Sequence, residues 1–312
     1  MKKISILIPT FNEEENIVEL CARIHAIMEK KTDYDYELVI IDNASTDKTV
    51  EMVKKEIEKN KHVKLIVNAR NFGQVRSPFH GILQCKGDAI VLMAADLQEQ
   101  PELISDFIQK WEEGYKIVLG IKNKSKENPI MFALRKLYYN ILSKFSETDQ
   151  IKNFTGFGLY DRSFIEVLRT IEEPYPFFRG LVGELGYDKT EVHYTQEKRK
   201  KGKTKNNFYT LYDIGMLGFV NHSKLPLRLA SFLGFGIAIL SLVAAAVFFI
   251  LKLFFWYQFT LGTAPLIIGL FFFSSVQLFF IGIIGEYIGS IHTQVKKRPL
   301  VIEKERVNFE SV

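Results

Sequence analysis

The sequence predicts an α/β domain on a mostly parallel sheet, followed by an interfacial helix and a two-helix transmembrane hairpin. Three observations predict it. Short apolar runs alternate with longer amphipathic stretches along the N-terminal part, polar clusters follow the apolar runs, and charge vanishes twice near the C-terminus, over residues 229–251 and 253–285. The chain of 312 residues, 47% hydrophobic and 25% charged, has the composition of a folded protein and not of a disordered or collagen-like one.

Taken in order, the run at 4–8 is closed by Pro9 and reads as a strand, and the acidic cluster Glu13, Glu14 and Glu15 opens a helix over 14–30. A strand at 37–41 ends at Asp42 and Asn43, and a helix over 47–60 follows, with Asp47 read as its N-cap rather than as a ligand. The pattern repeats as strand 63–67, helix 74–86, strand 89–93, helix 102–113 and strand 116–119. Cys21 and Cys85 lack any metal-ligand spacing and read as small buried hydrophobes of a reducing compartment. The N-terminus has no long apolar stretch or small-residue cleavage site, so export of this domain is not expected.

At about 1.5 Å per residue, the uncharged run 229–251 is long enough to cross a hydrocarbon core of about 30 Å. A second span is expected at 264–285, with Trp256 and Tyr257 in the short connection at headgroup level. Residues 198–205 and Arg228 precede the first span, Lys296, Lys297 and Arg298 follow the second, and Lys252 stands alone between them. Positive-inside counting places both flanks in the cytoplasm. Residues 205–226 mix Phe208, Tyr209, Leu211, Tyr212, Met216 and Phe219 with few charges, as an interfacial helix would. The domain division is therefore 1–204, 205–226, 227–290 and a cytoplasmic tail at 291–312.

In open α/β sheets, ligands bind beyond the carboxyl ends of the strands. The polar clusters converge there: 9–13, 42–47 and 96–98. No Gly-x-Gly-x-x-Gly follows the first strand, and Gly202-Lys203-Thr204 lacks the earlier glycine of a P-loop. Carboxylates at strand ends remain, a donor set for a nucleotide and for Mg²⁺ or Mn²⁺ on its diphosphate. For Asp42 and Asp96 the other reading is turn capping. Glu13 also reads as a first-turn acid, Arg70 as a solvated charge, and Glu286 as an interfacial anchor.

Ile8-Pro9-Thr10-Phe11-Asn12-Glu13, residues 42–47, Arg70-Asn71-Phe72-Gly73, Ala95-Asp96-Leu97-Gln98 and Gly285-Glu286-Tyr287-Ile288-Gly289 together resemble family 2 glycosyltransferases. The likeness is to the branch that uses polyprenyl phosphates, bactoprenol glucosyltransferases and dolichol-phosphate mannose synthases included. It implies a GT-A-type domain in which Pro9, Phe11 and Glu13 line a nucleotide pocket, Asp42 contacts uracil or ribose, Arg70 meets phosphate, and Asp96 holds Mg²⁺ or Mn²⁺ with Gln98 beside it. In the basic run 198–205, the family pattern fits Arg199, Gly202, Thr204 and Lys205 if one extra residue is allowed. That implies catalytic roles for Asp96, Arg199 and Lys205, and an acceptor-phosphate site at Arg199, Thr204 and Lys205. Nonspecific attachment to anionic headgroups is the other reading of this run.

Two departures stand out. The family's Asp-x-Asp is Ala94-Ala95-Asp96 here, and its Gly-Asp-Phe-Arg-Leu is Thr155-Gly156-Phe157-Gly158-Leu159. The reaction implied is inverting transfer of one sugar from a UDP-sugar to undecaprenyl or another polyprenyl phosphate. It would occur at the cytoplasmic face of the inner membrane, by a multi-pass and homo-oligomeric enzyme served by a separate flippase and distal glycosyltransferase. Nucleic acid is not an expected partner. Extension of a lipid-linked oligosaccharide or polysaccharide, and a non-catalytic membrane scaffold, are the alternatives.

Overall fold

The computed structural model describes residues 1–124, 151–197, 225–255 and 263–309. Its centre is an eight-stranded sheet: β1 (Lys2–Thr10), β2 (Tyr34–Asp42), β3 (Val63–Asn68), β4 (Ala89–Leu92), β5 (Ile117–Lys124), β6 (Phe154–Asp161), β7 (Lys189–Thr195) and β8 (Glu303–Val307), in the spatial order β7-β5-β6-β4-β1-β2-β3-β8. The pairs β1·β2, β1·β4, β2·β3 and β5·β7 are parallel, whereas β6 runs antiparallel to β4 and β5, and β8 antiparallel to β3.

Seven-to-twelve-residue helices cover both faces: α1 (Ile17–Met28), α2 (Thr49–Lys59), α3 (Gly73–Gln84), α4 (Leu103–Glu112), α5 (Arg162–Thr170) and α6 (Phe178–Glu184). The alternation within each strand decides which residues meet which face. Ile4, Ile6 and Ile8 of β1, with Leu38 and Ile40 of β2, join Ile17, Leu20, Val53 and Phe107 in one core. Leu7, Val39 and Ile41 point the other way, to Phe79, Ile82, Phe164 and Leu168. Central parallel strands buried on both faces explain why these runs are apolar throughout rather than alternating. Both cysteines are free and buried, as expected, and burial pushes the Cys21 thiol up to about 12.

Two long helices follow, α7 (Leu225–Phe254) and α8 (Thr263–Val295). The expected end at Gly285 falls inside α8, because Glu286-Tyr287-Ile288-Gly289 contains no proline and the helix runs on to Val295. Among the described residues, the stretch long and apolar enough to cross a membrane is Gly269–Val295, 27 residues of mean hydropathy 1.6 with none of its most apolar part buried. The segment expected as a tail returns to the sheet as β8, where Ala69 N–H donates to Ile302 O at 2.8 Å and Lys54 pairs with Glu305 at 2.7 Å. Most of the expected interfacial helix lies outside the described residues.

Candidate functional site

The chain lays down β1, β2 and β3 outward, then crosses back to place β4 on the far side of β1. That reversal is the topological switch point where an α/β sheet opens a crevice. Pro9 at the end of β1 and Leu92, Met93 and Ala94 at the end of β4 line an open cavity of about 510 Å³ there, with Phe178 and Arg179 also in its wall.

The three polar loops carry backbone strain. Asn12 (φ 56°), Ala44 (φ 62°) and Leu97 (φ 57°) sit one in each loop in the left-handed region. Non-glycine residues there cost about 1 kcal/mol or more, and such outliers cluster at functional sites. Side chains hold the loops together. Asn12 N–H donates to Ser45 Oγ at 2.8 Å, and Thr46 N–H donates to Asn12 Oδ1 at 2.7 Å. Asn43 ties in the segment after β3: its Nδ2 donates to Asn71 Oδ1 at 2.9 Å, and its Oδ1 accepts Phe72 N–H at 2.8 Å.

The expected residues within the described segments each have a definite place. Pro9 and Phe11 are half-buried at the β1 end, and Glu13 Oε2 accepts Asn16 Nδ2–H at 2.8 Å. Asp42 is fully buried and accepts both the N–H and hydroxyl of Ser45, and burial raises its carboxyl pKa. Its present work is to brace the loop it begins. Asp47 accepts Thr49 N–H at 3.0 Å and Thr49 Oγ1–H at 2.6 Å, but the N-cap is Lys48, so Asp47 braces the helix start from one residue before the position expected of it. Arg70 is exposed, its guanidinium 4.1 Å from the centre of the Phe72 ring. Asp96 is half-buried and its Oδ1 accepts Gln98 N–H at 3.2 Å. Gln98 in turn holds the chain entering the basic run: Glu197 N–H donates to Gln98 O at 3.2 Å, and Gln98 Nε2 donates to Glu197 O at 3.2 Å. Arg199, Thr204 and Lys205 lie outside the described residues.

A scan for known families matches residues 5–168 to glycosyl transferase family 2. The chain belongs to this family. Across nearly its full length it is similar to glycosyltransferase YkcC of Bacillus subtilis, 34% identical over 98% of this chain and 95% of that one. It is also similar to the SfII prophage-derived bactoprenol glucosyl transferase of Shigella flexneri, 30% identical over 97% and 98%. Among solved structures, mannosyl-3-phosphoglycerate synthase of Rubrobacter xylanophilus matches with a TM-score of 0.47 at 13% identity, over 69% of this chain and 71% of that one.

The family 2 domain here has a GT-A-like α/β fold with a mostly parallel, mixed sheet. The departure at 155–159 has a structural setting, whereas nothing in the structure explains Ala94. Gly156 adopts φ +104°, a conformation that strains any side chain, and a Cβ at Gly158 would lie 2.3 Å from Val118 O. Strand β6 packs so closely on β5 that the family's Arg has no room.

A carboxyl the sequence reading passed over stands between the altered positions. Glu99 is buried, with Oε2 accepting Ala94 N–H at 2.8 Å and Oε1 accepting Thr155 Oγ1–H at 3.0 Å. It lines the cavity, and burial raises its pKa to about 7. Its one sequence signal was its position three residues after Asp96.

Among the described residues, no group of three or more His, Cys, Asp and Glu side chains could hold a metal alone. Asp96 by itself fits a shared ion, since Mg²⁺ is commonly held by one or two carboxylates with substrate phosphates and water completing its shell.

Proposed function

We propose that this protein transfers one sugar from a UDP-sugar to a polyprenyl phosphate at the cytoplasmic face of the inner membrane. The observation that carries the reading is the match to a bactoprenol glucosyl transferase over 97% of the chain, apolar C-terminal region included. The placement of Glu197 against Gln98 adds support, because the basic run then leaves directly from the loop that carries Asp96.

In this reading a phosphate oxygen of the lipid attacks C1 of the donor sugar, the bond from C1 to the UDP oxygen breaks, and the anomeric configuration inverts. A phosphate monoester with a second pKa near about 6 is already ionised at neutral pH, so its attack needs no general base. Loss of the family's aspartate at Gly156 is then tolerable. The demand falls on stabilising the departing UDP. Asp96 would hold Mg²⁺ or Mn²⁺ on the diphosphate, where the ion supplies positive charge when bound. Arg199 would add a fixed cation, and Thr204 and Lys205 would hold the acceptor phosphate. Pro9, Phe11, Glu13, Arg70 and Gln98 would border the nucleotide, with Asp42 shaping the loop that meets it. Homo-oligomers, a flippase and a distal glycosyltransferase complete the proposed setting.

Membranes containing the protein, undecaprenyl phosphate and Mg²⁺ or Mn²⁺, offered a panel of UDP-sugars, should yield one new lipid carrying one sugar by mass spectrometry. Asp96→Ala should lower turnover by at least about a hundredfold while insertion is unchanged. Undiminished turnover in that variant removes Asp96 from the mechanism; a longer glycan as product favours the extension reaction.

A further inference from the structure

The cavity at the switch point is mostly apolar. Pro9, Phe79, Leu92 and Phe178 supply much of its wall. Against them stand two charged residues, Glu99 and Arg179, the latter with its guanidinium 5.2 Å from the centre of the Phe177 ring. An apolar wall with few convergent polar groups is the usual form of a small-molecule site.

A carboxylate has about four lone-pair sites. Ala94 N–H and Thr155 Oγ1–H occupy one on each oxygen of Glu99, which leaves acceptor capacity on both. Those two contacts also fix the carboxyl between Ala94, where the family pattern carries an aspartate, and Thr155, the residue before the second such position at Gly156.

We propose that Glu99 binds hydroxyl groups of the sugar being transferred, in place of the carboxylates missing at Ala94 and Gly156, and restricts the donor to neutral sugars. This rests on the UDP-sugar reading above. Hydroxyls of a hexose donate to Glu99 and accept from Arg179, while the apolar walls meet its C–H faces. Above about pH 7, where the Glu99 carboxyl is ionised, a donor ring bearing its own carboxylate would place a second negative charge against it where water is scarce, and like charges in such surroundings are strongly disfavoured.

The test is calorimetry at pH 8, where Glu99 is ionised, on the full chain in detergent with Mn²⁺, using UDP, UDP-glucose, UDP-galactose, UDP-N-acetylglucosamine and UDP-glucuronate as probes. In the wild type at least one neutral UDP-sugar should bind more tightly than UDP, and UDP-glucuronate should bind at least about tenfold more weakly than that sugar. Glu99→Gln keeps the shape and can still bond Ala94 N–H and Thr155. It should cut the advantage of the neutral sugar over UDP by about 10- to 100-fold and narrow the gap to UDP-glucuronate. A role confined to holding the loops would leave that gap alone.

The wild-type comparison and an Arg179→Gln variant, expected to lose part of the same advantage, stand even if Glu99→Gln fails to fold. Wild-type protein that prefers UDP-glucuronate, or a Glu99→Gln variant with the wild-type ratios, overturns the assignment of Glu99 and leaves the transferase reading intact. No binding of UDP or any UDP-sugar overturns both.

Discussion

Burial pushes the Glu99 carboxyl up to about 7, against about 4.3 for an exposed glutamate. The folded state therefore holds a proton between these values that the unfolded chain has released. Stability falls as pH rises through this window, the reverse of a paired carboxylate, and the whole loss is present above the folded value. Ala94 N–H and the Thr155 hydroxyl favour the charged form, but Asp96 opposes it and desolvation outweighs both bonds. Glu99→Gln should accordingly raise stability by about 3 kcal/mol at pH 8 and by only about 1 kcal/mol at pH 5. Thermal unfolding of the full chain in detergent at the two pH values reads the difference, and an equal gain at both would show that the buried charge is not its source. Glu37 has the opposite sign. Burial works to raise its pKa, but Lys64 at 2.7 Å, the Ser5 hydroxyl at 2.6 Å and Lys86 N–H at 2.6 Å together hold it below the ordinary value. Its contribution is present above the unfolded glutamate pKa and disappears as pH falls through the lowered folded one. Glu37→Ala would strand the Lys64 ammonium, which is only 14% exposed, and should cost about 3 kcal/mol at pH 7, a loss that shrinks on acidification.

At the scale of elements, β6 shows how close packing can forbid a side chain. Gly158→Ala would put a methyl 2.3 Å from Val118 O, so β5 and β6 would have to part. A loss of about 3 kcal/mol is expected, with Gly158→Arg worse, and an unchanged melting temperature for Gly158→Ala would show that the strands yield freely. The same strand explains what the sequence concealed. Its two interior glycines depress strand propensity, so Phe154–Asp161 was legible as a family motif and not as a strand. Strand β8 was hidden differently: Glu303-Lys304-Glu305-Arg306 carries no apolar alternation, because an edge strand is guarded by charge. In contrast, β1 to β4 and α1 to α4 were all legible as elements, though β1 and β2 were each read four residues short, since strands buried on both faces must be apolar throughout and the helices between them amphipathic. The site followed the same divide. Carboxyl-end clusters announced the loops of Asn12, Ala44 and Leu97, but the importance of Glu99 depends on β6 and α6 closing over it, contacts distant in sequence.

The sheet also constrains the whole molecule. Strand β7 lies at one end and β8 at the other, and α7 and α8 fall between them in the chain. Both flanks of the helical segment therefore belong to one domain, on one side of any membrane. A chain that leaves and returns to the same side crosses an even number of times, so if α8 crosses, another segment must cross too. Helix α7, with 30 residues, spans about 45 Å at 1.5 Å per residue and is long enough to do so. The basic residues at 296–298 and 198–205 agree with a cytoplasmic position for both flanks. The prediction is a two-helix hairpin with its connection outside. Cys21 and Cys85 are buried, and burial raises both thiol pKa values, so the native protein should label weakly with a membrane-impermeant maleimide. In intact cells Gln258→Cys, in the connection, should react, while Ser311→Cys should react only after the membrane is opened. Equal protection of both positions in intact cells would mean that the helices lie along the cytoplasmic surface, and the sheet would then be tethered to the membrane without a crossing.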